Sequence, residues 1–270
     1  MATEMNQNLH LLIRTPFIRD VGALARIHLA AFRNDRLVRL MYSEANHWKA
    51  VEAMIEKRMS HDNGAIRIAT TKTGDRIVGW LCWSLVDPIM PAQDDLASRE
   101  WTTAAICAVE DAEKRLTDTS GRPTDVAECE RRRSIWKIIS DASSAAFSTY
   151  PDTVTQMSYI VVNTLVTDFA FEARGVGFEL LTWATKYADT KEIAIRAQVS
   201  PCAYGLFRKA GFEEVYSQVL DLDGIYYAGV AKEYRGKSEW GNYEVKFMVR
   251  KARNRSEVDQ TSQQLRSLLP

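Results

Sequence analysis

Apolar residues recur along this 270-residue chain in two periods that predict different elements. After Asp20, the residues Leu24, Ile27 and Ala31 fall at helical spacing and would share one face. A second stripe within 46–59 is formed by Trp48, Val51, Ile55 and Met59. The spacings predict two amphipathic helices that pack on a common core, with Asp20 as the N-cap of the first.

Alternating and β-branched runs predict the strands of a sheet. These runs span 65–70, 77–86, 158–167, 193–199, 214–222 and 243–250. The first two are joined by the turn TKTGD and predict an antiparallel hairpin, and the last two predict another. A helix between the third and fourth runs predicts a parallel crossover. The fold class is therefore α/β, with a mixed central β-sheet flanked by helices.

A long segment separates the hairpin from the next strand. Apolar residues return to helical spacing at 94–116 and 126–147, with TDTSGRPTD between them. This pattern predicts a helical insertion between strands three and four, at about 87–155, which packs on the core or forms a wall or lid. We expect one domain over 1–250, insertion included, followed by a polar C-terminal tail at 251–270.

The charge balance argues against nucleic acid as a partner. The chain has 35 basic and 35 acidic residues, hence no formal net charge, whereas a general nucleic-acid binder needs a basic face. The oligomeric state is not readable from the sequence.

The cysteines and the apolar runs suggest a soluble, cytoplasmic protein without a membrane partner. Cys82, Cys107, Cys129 and Cys202 show no Cys-x-x-Cys spacing and no nearby histidine cluster, so we expect reduced thiols and no metal site. No run of eighteen apolar residues occurs, and the N-terminal residues do not have the pattern of a signal peptide.

The strongest functional pattern follows the strand at 158–167. There the sequence FEARGVGFELL passes from a short polar turn to a glycine-containing helix start. Gly175 and Gly177 would let the backbone turn tightly and lie against a ligand, and the N–H groups of the first helical turn are anion donors. The pattern indicates a pyrophosphate-sized site, and taken alone it also fits a tight strand-to-helix turn.

Two motifs resemble the GNAT superfamily of N-acetyltransferases. EARGVG at 172–177 resembles its acyl-CoA loop, Gln/Arg-x-x-Gly-x-Gly/Ala, and FRKAGF at 207–212 resembles its Tyr-x-x-x-Gly-Phe helix end. The segments 13–32 and 77–86 are similar to its first strand and helix and to its third strand, and the chain most resembles the branch common in filamentous fungi. Glu172 departs from the loop pattern, and Phe207 replaces the tyrosine that protonates the departing thiolate in many members.

The resemblance implies the GNAT fold and acetyl-CoA as the acyl donor. In the family, the end of strand four pairs with the pantetheine arm, and main-chain N–H groups of the loop bind the pyrophosphate. The cofactor-binding residues implied are Leu165, Val166, Thr167, Glu172, Ala173, Arg174, Gly175, Val176, Gly177, Phe178 and Phe207. We expect the Glu172 side chain to point away from the phosphates, because two like charges repel.

The reaction implied by the resemblance is transfer of an acetyl group from acetyl-CoA to an amine, expected to be a small molecule. Asp87 and Asp168, at strand ends, are candidate bases or else turn residues. Tyr204 lies almost one helical turn before Phe207 and is the candidate acid. The substitutions at Glu172 and Phe207 leave two alternatives open, a non-catalytic acyl-CoA-binding protein and a GNAT-fold protein that uses another reaction.

Overall fold

The computed structural model describes residues 10–60, 64–72, 76–87, 126–148, 158–228, 236 and 240–253. The helical pattern at 94–116 and most of the polar tail lie outside these residues.

One seven-stranded sheet runs through the molecule. Its strands are β1 (Leu11–Arg14), β2 (Gly64–Thr71), β3 (Ile77–Val86), β4 (Tyr159–Thr167), β5 (Ala194–Val199), β6 (Glu213–Asp221) and β7 (Asn242–Arg250). The spatial order is β1-β2-β3-β4-β5-β7-β6. Only the β4–β5 pair is parallel among these neighbours. The mixed α/β sheet and the parallel crossover predicted from the sequence are confirmed.

Helices cover both faces of the sheet. They are α1 (Val21–Phe32), α2 (Arg36–Met41), α3 (Glu44–Met59), α4 (Val126–Ser148), α5 (Val176–Lys191), α6 (Tyr204–Lys209) and α7 (Leu222–Tyr226). Helix α5 joins β4 to β5 and packs on one face, where Leu180, Leu181 and Ala184 are fully buried. Helices α1 and α3 pack on β2 and β3 through Leu24, Ile55 and Trp80. Alternate strand residues thus serve two separate cores.

A third core lies under the C-terminal strands. Helix α4, which the sequence predicted within the insertion, packs with α2 against β6 and β7 through Ile135, Leu40 and Phe247. The described part of the insertion therefore contributes to the core of the domain.

The start of α1 lies where the sequence predicts it, with Asp20 in the N-cap position, but the side-chain bonding differs. Asp20 has helical backbone angles and continues from a 3-10 turn at Ile18–Asp20, so it does not cap α1 with its side chain. Its carboxylate instead accepts hydrogen bonds from Phe17 N at 2.7 Å and from Arg14 Nη1 at 2.8 Å. Burial by itself would raise the pKa of Asp20, but these bonds and the neighbouring arginine charge lower the pKa below its usual value. Asp20 therefore fastens the end of β1 to α1.

The N-terminus of α5 lies directly against the sheet because position 79 has no side chain. A Cβ atom at Gly79 would lie 2.7 Å from Val166 O and 2.8 Å from Val176 Cγ1. Gly79 pairs with Thr167 across β3 and β4, at the level where the chain leaves β4. This glycine sets how closely the first turn of α5 approaches the end of β4.

We expect Gly79→Ala to destabilise the protein by about 1–3 kcal/mol, the usual effect of overpacking a tight core position. Gly22→Ala is the matched control, because nothing lies within 4 Å of its Cβ position in α1 and alanine favours helix by up to about 1 kcal/mol. Urea unfolding with an unchanged m-value measures both effects. Equal stability of the two variants would contradict the close approach of α5.

Candidate functional site

Strands β4 and β5 separate halfway along β4. Their parallel pairs run from Tyr159 with Ala194 to Val162 with Ala197, and the ladder ends there although β4 continues to Thr167. We call the space between the diverging strands the fork. At this level β4 carries a bulge, since Cys82 pairs with Thr164 and Trp83 with Val162. A bulge bends its strand, which accounts for the separation.

The extra residue in the bulge is Asn163. Its amide nitrogen donates a hydrogen bond to Ser84 Oγ in β3 at 2.6 Å, and Ser84 is buried. Beyond the bulge, Leu165, Val166 and Thr167 pair with β3 on one edge and have no partner in β5 within the described sheet. These are the strand residues that the resemblance assigned to the cofactor.

The chain leaves β4 through a short turn that ends at α5. Asp168 caps the 3-10 turn at Phe169–Phe171 by accepting from Ala170 N at 3.0 Å. Two residues of the turn have positive φ, Ala173 at 58° and Gly175 at 86°. The N–H groups of Glu172 and Arg174 donate to carbonyl oxygens within the turn.

Helix α5 begins with open hydrogen-bond donors. The N–H groups of Val176, Gly177 and Phe178 have no acceptor among the described residues, and the first bond across the helix start joins Glu179 N to Gly175 O. A Cβ at Gly177 would lie 3.1 Å from Leu206 Cδ2 of α6, so α6 packs close to this turn. With the positive end of the helix dipole, these donors form a site suited to an anion.

Cationic side chains surround the same turn. The guanidinium carbons of Arg76 and Arg174 lie 4.8 Å and 5.5 Å from the ring centre of Phe171. Lys209 Nζ lies 4.9 Å from the ring centre of Phe178. Two exposed carboxylates, Glu172 and Glu179, flank the turn. Arg76 is ion-paired with Asp168, so Arg174 and Lys209 supply the positive charge beside the open N–H groups.

A cavity of about 220 Å³ lies at the fork, between the α1–α3 core and the α2–α4 core. Both diverging strands contribute to its wall, with Asn163 and Thr164 from β4 and Gln198 and Val199 from β5. The helical wall is mostly apolar and contains Phe32, Leu37, Val38, Met41, Ala50, Val51, Met54, Trp136 and Ile139. The cavity is therefore an apolar chamber that meets the sheet where β4 and β5 part.

Two histidines in the cavity wall are uncharged. The rings of His28 and His47 lie 5.3 Å apart, and His28 stacks on Trp80 at 5.8 Å. Burial lowers the pKa of His28 to about 3 and the pKa of His47 to about 4, so both imidazoles are neutral at pH 7. His28 Nδ1 is buried and has no hydrogen-bond partner within the described residues.

One carboxylate faces the cavity. Asp35 caps α2 by accepting from Val38 N at 3.0 Å, and its other oxygen accepts from Tyr243 Oη at 2.7 Å. Burial and the neighbouring Asp35 raise the pKa of Tyr243 well above its usual range, so the phenol keeps its proton and donates it to the hydrogen bond. Because both histidines are neutral, Asp35 is the charged side chain among the described residues of the lining.

The aspartates predicted as bases lie at opposite ends of the sheet. Asp168 follows β4, caps the turn and forms an ion pair with Arg76 at 3.0 Å. Asp87 follows β3, whose last residue Val86 pairs with Tyr159 at the start of β4. The strand rise separates the two by roughly 30 Å. Neither belongs to the described lining of the cavity.

Tyr204 and Phe207 lie on α6, which follows β5. Tyr204 is its first residue and is half-buried, with Lys246 Nζ 4.9 Å from its ring centre. Phe207 is 4% exposed and packs edge-to-face on Phe212 at 5.0 Å. Phe207 is thus the buried core residue of the helix that begins at Tyr204.

Tyr42 also lines the cavity. The sequence analysis did not identify His28, His47, Asp35 or Tyr243 as site residues. The sequence signal for Asp35 was its position as an N-cap before the short apolar pattern of α2. The histidines carry no such signal, because each is a lone histidine in an amphipathic helix.

Within the described residues no group of three or more His, Cys, Asp or Glu side chains is placed to hold a metal ion. Cys82 and Cys202 are free thiols, and Cys82 is a buried core residue. None of the described helices is both long and apolar enough to cross a membrane.

No protein-family model matches the chain, and neither does any curated protein. Solved structures do match. A putative arylalkylamine N-acetyltransferase 7 from the mosquito Aedes aegypti superposes with a TM-score of 0.59 at 14% identity, over 91% of this chain and 89% of that one. A mosquito arylalkylamine N-acetyltransferase like 5b superposes with a TM-score of 0.54 at 12% identity, over 90% of this chain and 100% of that one.

A third similar structure is the polyamine N-acetyltransferase of Drosophila melanogaster, with a TM-score of 0.53 at 13% identity, over 90% of this chain and 100% of that one. At these identities the similarity establishes the fold. The chain has the GNAT fold.

Proposed function

We propose that this protein is an N-acetyltransferase that transfers the acetyl group of acetyl-CoA to a small-molecule amine. The fork is the observation that supports the proposal most directly. It places an unpaired strand edge and the open N–H groups of α5 at one end of β4, and an apolar chamber at the bulge. A donor and an acceptor bound there would meet between the two strands.

The donor site fits the shape and charge of acetyl-CoA. The edge of Leu165, Val166 and Thr167 would pair with the amide groups of the pantetheine arm like an added strand. The pyrophosphate would lie on the N–H groups of Val176, Gly177 and Phe178. Arg174 and Lys209 would add positive charge around it. Glu172 and Ala173 would contribute through the shape of the turn.

The acceptor would occupy the chamber and present its nitrogen toward the bulge. Attack of the neutral amine on the thioester carbonyl forms the C–N bond and breaks the C–S bond. The nitrogen loses a proton and the CoA thiolate takes one. Holding both reactants at the fork supplies much of the rate, since orientation alone is worth on the order of 7–11 kcal/mol in favourable cases.

Tyr204 is the proposed proton donor to the thiolate. It begins the helix that packs on the first turn of α5, through Leu206 and Gly177, and so lies beside the proposed donor site. Asp168 is engaged as a cap and in an ion pair, and Asp87 lies at the far end of β3, so their positions favour structural roles. The cytoplasmic location and the branch common in filamentous fungi stay predictions from the sequence.

We expect Ala173→Glu to weaken acetyl-CoA binding about tenfold at low salt. Residue 173 is exposed in the turn, and a carboxylate about 6 Å from two phosphate charges costs about 1.4 kcal/mol in a water-like dielectric. Ala173→Gln is the control, with the same shape and no charge. Calorimetric titration with acetyl-CoA checks both, and the difference shrinks as salt screens the charges. Equal affinities of the two variants at low salt would contradict the proposed phosphate site.

We expect Tyr204→Phe to lower kcat by about 10²-fold, the usual contribution of a general acid, with little change in acetyl-CoA affinity. The readout is CoA thiol release in the presence of an amine, followed across pH. Tyr216→Phe is the control, because Tyr216 is exposed on β6 and its hydroxyl contacts only Gln218 among the described residues. An unchanged kcat and pH profile would exclude Tyr204 as the acid. No thiol release with any amine, despite acetyl-CoA binding, would favour the non-catalytic alternative.

A further inference from the structure

The size and lining of the chamber limit what the acceptor can be. Its volume of about 220 Å³ lies below the ~300–1,000 Å³ of pockets that bind drug-sized ligands, so it suits an acceptor smaller than a typical drug. The side chains from α1, α2, α3 and α4 that line it are mainly aliphatic or aromatic. Such a wall stabilises an apolar group by removing it from water.

Rings form one side of this wall. Phe32 lies 4.6 Å from His28, and Tyr42 stacks on His47 at 5.3 Å with an interplanar angle of 16°. Because both imidazoles are neutral, His28 and His47 add no positive charge to this side. An aromatic group of the acceptor would pack here in an offset-stacked or edge-to-face arrangement.

The polar end of the chamber carries a single negative charge. The Asp35 carboxylate is held by Val38 N and Tyr243 Oη, so its position is fixed before a ligand binds. Arg36 donates to the carbonyl oxygens of Trp240 and Asn242, and Arg132 lies over the ring of Tyr42. Asp35 can therefore pair with one ammonium group, and no second carboxylate is present in the described lining.

We infer that the acceptor is a monocationic primary amine with an aromatic or similarly bulky apolar group, bound with its ammonium against Asp35 and its ring against His28, Phe32 and Tyr42. The ammonium binds first and then gives up one proton to water, so that the nitrogen attacks as the neutral amine. This inference rests on the proposed function and narrows its substrate class. A polyamine or a guanidine-bearing amine would bury a second charge among apolar side chains without a partner, which is strongly unfavourable.

The test compares 2-phenylethylamine with agmatine and spermidine as acceptors for the full chain and acetyl-CoA. We expect kcat/KM for 2-phenylethylamine to exceed both other values by at least tenfold. A higher value for agmatine or spermidine would overturn the inference and leave the acetyltransferase proposal intact. Absence of acetyl-CoA binding would instead remove the proposed function itself.

Asp35→Asn tests the charge at the polar end. Asparagine keeps the shape and can still cap α2, so the variant removes the charge with little change to the fold. We expect KM for 2-phenylethylamine to rise at least tenfold while the Kd for acetyl-CoA stays unchanged. Asp141→Asn is the control, since Asp141 is exposed on α4 and pairs only with Lys137 among the described residues. An unchanged KM in Asp35→Asn would refute the anchoring role.

Binding gives a readout that is independent of turnover. Calorimetric titration of 2-phenylethylamine into protein saturated with CoA is expected to show one site, with affinity lost in Asp35→Asn and kept in Asp141→Asn. Equal affinity of all three proteins would overturn the assignment of Asp35 even if the substrate ranking held.

Discussion

The separation of β4 from β5 is the constraint on which the rest of the site depends. Four parallel pairs hold the strands together, and the bulge at Asn163, fastened to Ser84, then turns β4 away. Backbone N–H and C=O groups need partners, so the strand edge beyond the bulge is suited to an extended ligand with its own amide groups. The same separation leaves room on the helical side for the chamber.

The packing of helices on the sheet keeps this opening in place. Gly79 lets the start of α5, with its open N–H groups, lie close to the end of β4. On the other side, α1 with α3 and α2 with α4 form separate cores that meet around the chamber. The proposed donor and acceptor sites thus both depend on the same strand bulge, and Asp35 and the neutral histidines set the charge of the proposed acceptor side.

Much of the fold was predictable from the sequence, because long periodic runs determine which face of an element is buried. The sheet, the crossover through α5, and α3 followed from such runs. Helix α2 was missed because its six residues are too short to show a period. Asp20 is in the N-cap position of α1 as predicted, but Arg14 and the backbone N–H of Phe17, and not the first N–H groups of α1, hold its carboxylate. The chamber was not predictable, because its wall combines residues from distant segments and the bulge has no sequence pattern.

Hydrogen exchange of the backbone, measured with and without saturating CoA, tests the central claim most directly. We expect CoA to slow exchange in two separated peptides, one covering 163–167 on β4 and one covering 175–178 at the start of α5, with no comparable change in β6. This result would show that the strand edge and the helix start hold one ligand. Binding of CoA without protection in either peptide, or with protection only elsewhere, would contradict the account.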